Sequence, residues 1–259
     1  MNYWKLYDEI IDGLPQDVRI DDYAVSRPWT YVRAGDLVGI CMTIPAYSRP
    51  RLRKESFLGC SLREAAEYVR SWQGQEASIA TAAINAYCNQ PAKVAAMQGF
   101  HGDDASAETL DERKKLEAFT LYTERIRGKK VAVIGHFPHF QKKWEAICDL
   151  SILEMQPEWG DYPAEAAEVL LPQQDFVFMT GATFANKTMP RLLELSKHAV
   201  TVLVGPSVPL HPILFDYGAN GLSGFTVTDA ALAADLVHFG YETDIASCGK
   251  MADVLPHFY

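Results

Sequence analysis

The sequence predicts an α/β protein made of two parts. After residue 128, short apolar runs rich in β-branched residues alternate with helical patterns, as in a parallel sheet covered by helices. Before residue 110, strand-like runs flank a hairpin turn and lead into two helices. A charged helical segment joins the two patterns. We therefore expect an N-terminal α+β domain over residues 1–110, and a connector helix with a Rossmann-like parallel-sheet domain over residues 111–259.

Composition limits the expected partners. The chain has 259 residues, of which 48% are hydrophobic and 22% charged, and its formal net charge is −9. Because no basic patch dominates, nucleic acid is not an expected partner, and no apolar run approaches the roughly 18 residues that span a bilayer. The first residues lack the pattern of a secretory signal. We expect a cytoplasmic protein, monomeric or homo-oligomeric, that binds a small molecule or a metal.

The first half should contain a helix, strands and a basic loop. Residues 3–13 have apolar side chains at helical spacing. Strand-like runs cover residues 18–25, 29–33 and 37–43, and the last two flank a hairpin turn. Residues 45–59 form a loop rich in proline and arginine, which is either a solvated loop or a lid that meets an anion.

Two helices should follow this loop. Ser61 and Glu64 form a capping box at the start of the first. The second, over residues 76–89, is rich in small residues that let another backbone approach closely. Its first turn presents Glu76 and Ser78 beside free backbone amides, and Asn85 lies two turns further on. Residues 91–111 read as a region of little regular structure.

In the second half, each expected strand is followed by a loop rich in glycine, proline and small polar residues. Loops after parallel strands gather at one edge of a sheet, where ligands bind. The expected strands are 131–134, 151–155, 175–180, 200–204 and 222–227. The expected helices are 141–148, 164–170, 189–197, 212–217 and 229–239, the last capped by Thr228.

The loop after the first of these strands contains Gly135, His136, Phe137 and His139. A dinucleotide fingerprint needs further glycines here, so ordinary NAD binding is not expected. His136 and His139 are three residues apart and could share a transition or heavy metal ion. Ring packing or a bond to a neighbouring carbonyl is the alternative for such a pair.

Polar residues also follow the next three strands. Glu154 stands where ribose-binding acids stand, and Asp161 lies in the turn beyond it. The loop after the third strand combines hydroxyl, amide and ammonium groups that suit a phosphate or carboxylate: Thr180, Gly181, Thr183, Asn186 and Lys187. Turn and cap bonds are the alternative for Asn186, whereas Lys187 would oppose a helix dipole and needs another reason to be there. Gly205 and Ser207 follow the fourth strand.

The five cysteines contain no CxxC pair and are expected to be free thiols, mostly in the core. Cys248 is the exception. It lies in a polar loop near the C-terminus, two residues before Lys250, which would favour the thiolate.

Several segments, taken together and in this order, resemble the "putative heavy-metal chelation" family. They are residues 61–66, 76–86, 131–138, 160–163, 180–188 and 204–210. The resemblance implies an N-terminal domain like the enolase N-terminal domain, then a Rossmann-like domain, with a binding site in the cleft between them. The family's chelating role is itself an inference.

Three functional hypotheses follow. In the first, the protein binds a small molecule or metal complex in the cleft, where Glu76, Ser78 and Asn85 face the loops of the second domain. In the second, it is an enzyme that uses a nucleotide-like cofactor such as S-adenosylmethionine, with Glu154 on the ribose. In the third, it is a non-catalytic scaffold.

Overall fold

Two β-sheets organise the protein. The computed structural model describes residues 2–45, 49–99, 118–137, 140–240 and 245–256. A three-stranded antiparallel sheet consists of β1 (Asp22–Val25), β2 (Trp29–Ala34) and β3 (Leu37–Met42). The second sheet has seven strands in the order β10-β9-β8-β7-β4-β5-β6. The predicted α/β class is therefore confirmed.

The second sheet is parallel except at one edge. Its strands are β4 (Lys130–Ile134), β5 (Asp149–Glu154), β6 (Tyr162–Pro163), β7 (Phe176–Thr180), β8 (Val200–Val204), β9 (Gly221–Val227) and β10 (Gly249–Val254). Only the β9–β10 pair is antiparallel. From β6 to β9 the order is that of a doubly wound sheet, reversing between β4 and β7. The short β6 and the edge strand β10 were not predicted.

The helices lie between and beside the sheets. They are α1 (Lys5–Asp12), α2 (Leu62–Ala66), α3 (Gly74–Cys88), α4 (Pro91–Ala96), α5 (Ala118–Tyr122), α6 (Gln141–Glu145), α7 (Ala167–Leu170), α8 (Ala182–Ala185), α9 (Met189–Leu195), α10 (Ile213–Asp216) and α11 (Ala230–His238). None of the described helices has the length and apolar character needed to cross a membrane.

The helix predictions are confirmed at most of the described positions and wrong at three. Of the predicted connector helix, residues 111–117 lie outside the described residues, and α5 forms at Ala118–Tyr122. α4 forms in a region expected to lack regular structure, with Pro91 in its first turn. α8 forms inside the segment read as the loop after β7. The cap of α11 is Asp229 and not Thr228, because the Asp229 carboxylate accepts a hydrogen bond from the Leu232 amide at 2.9 Å. The capping box of Ser61 and Glu64 is confirmed.

Helix α3 is buried on nearly all sides and packs against both sheets. A Cβ at Gly39 of β3 would lie 2.1 Å from the carbonyl oxygen of Ala82 and 2.2 Å from the Ala86 amide nitrogen. The predicted close backbone approach is thus confirmed. At the end of α3, the Asn89 amide donates to the carbonyls of Val208 (2.9 Å) and Phe225 (3.2 Å). One helix therefore joins the small sheet to the large one.

The core follows from the alternation of side chains on the large sheet. One face of its central strands contributes Ala132, Val177 and Leu203 to a cluster that also contains residues of α1, α2 and α3. The opposite face packs on an aromatic cluster built from α5 and α6, which includes Phe119 and Trp144. A third cluster joins β2 and β3 to α11. Helices therefore cover both faces of the large sheet.

Candidate functional site

The loops after β4, β7 and β8 meet at the carboxyl edge of the large sheet. Gly135 ends β4 with φ +102°, and a Cβ there would lie 3.0 Å from the Thr180 side chain. A Cβ on Gly181 would lie 2.4 Å from the Val208 amide nitrogen, in the turn that begins at Gly205. The carboxyl edge, where the candidate residues were predicted, is thus closely packed at the point where the strand order reverses between β4 and β7. Open α/β sheets bind ligands at this position.

His136 and Asp161 form a hydrogen-bonded pair at this edge. His136 Nδ1 lies 3.3 Å from Asp161 Oδ2, and the Asp161 side chain is only 2% exposed whereas that of His136 is 26% exposed. Asp161 Oδ2 also accepts a hydrogen bond from the Glu158 amide at 3.0 Å. The backbone therefore fixes the carboxylate, which in turn orients the imidazole. Within the described ranges, no hydrogen bond is found to His136 Nε2.

The other residues of the β4 loop differ in their surroundings. Phe137 packs on Phe119, with ring centroids 5.0 Å apart, and so extends the aromatic cluster that α5 and α6 form on one face of the large sheet. His139 lies outside the described residues. Of the predicted histidine pair, only His136 can be placed at the edge.

The loops after β5 and β7 touch each other. Glu154 accepts hydrogen bonds from the backbone amides of Met155 and Gln156 that follow it. The Asn186 amide donates to Met155 Sδ at 3.5 Å. Glu154 is also the β-pairing partner of Pro163 in β6, which follows Asp161 in the chain. A line of contacts therefore runs along the edge from Asn186 to the His136–Asp161 pair.

The polar side chains after β7 bond mainly within their own segment. Thr183 Oγ1 donates to the Thr180 carbonyl at 2.6 Å, and Thr180 Oγ1 accepts from the Ala182 amide at 3.3 Å. Asn186 Oδ1 accepts from the Thr188 amide (3.0 Å) and hydroxyl (2.7 Å). The Asn186 bonds are the turn bonds that the sequence analysis gave as the alternative for this residue, and contact of the loop with an anion stays a prediction.

Lys187 is a buried lysine in a left-handed backbone conformation. Its φ is +72° and the residue is 3% exposed. Nζ donates to the Ala185 carbonyl at 2.9 Å and lies 5.2 Å from the centroid of the Trp72 ring. No ion pair to a carboxylate is found for it within the described ranges. Burial lowers the pKa of the Lys187 ammonium from 10.5 to about 8.

Glu76 on α3 holds the basic loop in place. Its carboxylate is buried and accepts hydrogen bonds from the amides of Leu52 (3.0 Å) and Arg53 (2.8 Å), and from the Ser71 hydroxyl (2.6 Å). A carboxylate with three such donors has little capacity left for a further ligand.

Ser78, Asn85 and Ser207 lie where α3, β3 and the loop after β8 meet. The Ser78 hydroxyl accepts from the Ile44 amide at 2.8 Å, and the Ser207 hydroxyl accepts from the Met42 amide at 2.8 Å. The Asn85 amide donates to the Ile40 carbonyl at 2.9 Å. Ser207 therefore joins β3 to the loop after β8, whereas Ser78 and Asn85 join α3 to β3 and the segment just after it.

Sequence reasoning missed three features and misread one. Trp72 beside Lys187, and Asn89 at the end of α3, had no periodic pattern to single them out. A cavity of about 480 Å³ between β1, the basic loop, α3 and His238 was not expected either. Cys248 was read as part of a polar loop, but it is fully buried in a 3₁₀ turn before β10, with its thiol donating to the Ile245 carbonyl at 3.1 Å.

No preassembled metal cage is found in the part of the chain that the structure describes. There, no group of three or more histidine, cysteine, aspartate or glutamate side chains could hold a metal ion. His136 and Asp161 are therefore a pair without a third such side chain beside them among the described residues, and metal binding by His136 stays a prediction.

Fold and site together define the class as a doubly wound α/β protein with an appended antiparallel sheet. Two family models, both described as "Putative heavy-metal chelation", match residues 117–253 and residues 7–88. The first, DUF364, covers more than half of the chain. The protein belongs to the DUF364 family, as its motifs indicated.

Similar proteins agree with this assignment. A DUF364 protein of unknown function from Desulfitobacterium hafniense, known from its crystal structure, is 40% identical, with a TM-score of 0.85 and 98% of each chain covered. Another from Pyrococcus horikoshii has a TM-score of 0.76 at 18% identity, covering 99% of this chain and 100% of its own, and shares the fold. An uncharacterized protein of Methanocaldococcus jannaschii is 28% identical over an alignment of 228 residues, and the match covers 83% of this chain and 78% of its own. None of these matches supports the S-adenosylmethionine alternative.

Proposed function

We propose that this protein binds a metal ion as a complex with a small chelating molecule at the carboxyl edge of the large sheet. The observation that carries the proposal is the His136–Asp161 pair. Histidines that bind metals usually donate their second ring N–H to a carboxylate, which fixes the tautomer and the ring orientation. In this arrangement Asp161 holds Nδ1–H, and Nε2 of His136 is the atom that binds the metal.

The donor set favours a metal complex over a bare ion. A structural transition-metal site takes about four protein ligands, and within the described residues His136 and Asp161 have no third metal-binding side chain beside them. A chelating molecule would supply the remaining donors. His139, beyond the described residues, is the candidate for a second protein ligand.

The other predicted residues take two roles in this proposal. The turn residues Thr180, Gly181, Asn186 and Gly205 lie at the same edge and give it its shape. The backbone amides of Gly181, Asn186 and Gly205 already donate to the carbonyls of Val204, Ala182 and Ser223. Lys187 contributes a positive charge behind this edge. Glu76, Ser78, Asn85 and Ser207 act as supports, because their side chains already bond to neighbouring segments. Glu154 borders the site next to Asp161.

Replacing His136 with glutamine should abolish binding of a metal complex that has open coordination positions. The probe is nickel nitrilotriacetate, titrated into tag-free protein by calorimetry. Nickel bound to EDTA is the matched probe, because its coordination positions are filled. We expect wild-type protein to bind the first and not the second. His198→Gln is the control variant, since His198 is exposed and precedes β8 at the opposite edge of the sheet.

The same titration distinguishes the role of His136, which binds the metal, from that of Asp161, which orients the ring. Asp161→Asn keeps the shape but weakens the orientation of the ring, and affinity should fall about 10- to 100-fold. Equal loss of affinity in His198→Gln and His136→Gln would overturn the proposal, and so would equal binding of the two nickel complexes.

A further inference from the structure

The cavity beside β1 is separate from the proposed metal site. Its walls are β1, residues 51–58 and the first turns of α3, and it shares no lining residue with the loops after β4, β5, β7 and β8. Its volume of about 480 Å³ is in the range of small-molecule sites. The residues of its lining determine which class of ligand it can bind.

Two arginines of the lining differ from most others in their partners. Arg19, Arg33, Arg63, Arg70, Arg127 and Arg191 all form ion pairs with carboxylates. Among the described residues, no such pair is found for Arg51 or Arg53. Arg51 makes one long hydrogen bond of 3.4 Å to the Gln75 side chain. Guanidinium groups suit carboxylates, so these two arginines favour a negatively charged group on the ligand.

The wall that carries these arginines is fixed in place. Both carboxylate oxygens of Glu76 bond to it, one to the Leu52 amide and the other to the Arg53 amide. The Arg53 guanidinium lies 5.2 Å from the centroid of the Phe57 ring, and its Nε donates to the Ser56 carbonyl at 3.0 Å. The segment that carries the two guanidinium groups is therefore held in place by hydrogen bonds to Glu76 and Ser56.

The same cavity also carries acidic groups and an apolar surface. Asp22 lies 3.1 Å from His238 Nε2, and Glu55 has no ion pair among the described residues. The apolar part of the lining includes the Tyr23 and Phe57 rings, with centroids 5.9 Å apart, and the Ile79 side chain. Both signs of charge thus border one apolar surface.

We propose that this cavity binds a small zwitterion with an apolar body, which is the chemistry of a free amino acid. Its carboxylate lies against the guanidinium groups of Arg51 and Arg53. Its ammonium lies against the carboxylates of Glu55 and Asp22, and its side chain contacts Tyr23 and Phe57. Both charges contribute to affinity, because each forms charge-assisted hydrogen bonds with groups of the lining.

Three probes of nearly equal shape test this inference by calorimetry. L-phenylalanine carries both charges, 3-phenylpropanoate only the carboxylate and 2-phenylethylamine only the amine. We expect saturable binding of L-phenylalanine and at least about 10-fold weaker binding of each of the others, which corresponds to about 1.4 kcal/mol. Glycyl-L-phenylalanine, a zwitterion with a longer body, distinguishes a peptide from a free amino acid.

Charge-removing variants test the cationic and the anionic groups of the lining separately. Arg51→Gln should weaken L-phenylalanine at least about 10-fold and leave 2-phenylethylamine unchanged, and Glu55→Gln should weaken it without changing 3-phenylpropanoate. Arg49→Gln is the matched control, since Arg49 is in the same loop but not in the lining. Arg51 and Glu55 are exposed, so both variants should fold. No saturable binding at millimolar L-phenylalanine, or equal binding of the three probes, would refute the inference.

Discussion

Replacing Gly39 with alanine should lower the free energy of unfolding by at least about 3 kcal/mol, the upper end of the effects of overpacking. The added Cβ would lie 2.1 Å from the carbonyl oxygen of Ala82 and 2.2 Å from the Ala86 amide nitrogen. These are backbone atoms of α3 and cannot move aside as a flexible side chain would. Urea unfolding, followed by circular dichroism, measures the change.

Gly13→Ala is the matched control for this substitution. Gly13 has an ordinary φ of −79°, and its nearest neighbour to an added Cβ is 3.5 Å away. Its variant should unfold within about 0.5 kcal/mol of the wild type, as surface substitutions usually do. If Gly39→Ala were as stable as Gly13→Ala, the close contact between β3 and α3 would be wrong.

Replacing Lys187 with methionine should stabilise the protein at pH 7 by about 2 kcal/mol, because the pKa shift favours the neutral side chain and the lost Nζ hydrogen bond to the Ala185 carbonyl offsets part of the gain. Burial lowers the pKa of this lysine from 10.5 to about 8, so folding at neutral pH keeps an ammonium in a poorly solvated place. Methionine has a similar length and no charge. Both side chains carry the same strain from the left-handed backbone, so that strain cancels in the comparison.

The pH dependence gives the sign of this effect. Below about pH 8 the lysine is protonated in both states, and the destabilisation is complete. Between about pH 8 and 10.5 the unfolded chain binds more protons than the folded one, so wild-type stability rises with pH relative to the variant. The advantage of methionine should shrink across this window. Lys197→Met, at an exposed position, is the control and should show no such change; a constant difference for Lys187→Met would contradict the lowered pKa.

Much of the fold could be predicted because, in most elements, the hydrophobic periodicity agrees with the turn and cap residues at the ends of the element. Val200–Val204 is a continuous apolar run and was placed correctly. Gly249–Val254 contains glycine, lysine and aspartate, and it becomes a strand because β9 pairs with it along its whole length. Strand propensity depends on such neighbours, which a local pattern does not contain.

The part of the site that was predictable consists of residues that directly follow strands. His136 and Asp161 were both chosen because they follow strands, and the sheet brings them within hydrogen-bonding distance. Trp72 and Lys187 come from different halves of the chain, and nothing in either segment signals their contact. The cavity lined by β1, the basic loop and His238 likewise arises only when distant segments pack together.

The position of α3 between the two sheets has a thermodynamic consequence. Its core cluster contains residues from Leu6 to Val254, so melting either sheet would expose the helix on which the other rests. We therefore expect one cooperative calorimetric transition for the whole chain. A ligand that binds only the folded state, at the sheet edge or beside β1, would then raise the midpoint of that single transition. The two sites, though they share no residue, would be linked through a common unfolding equilibrium.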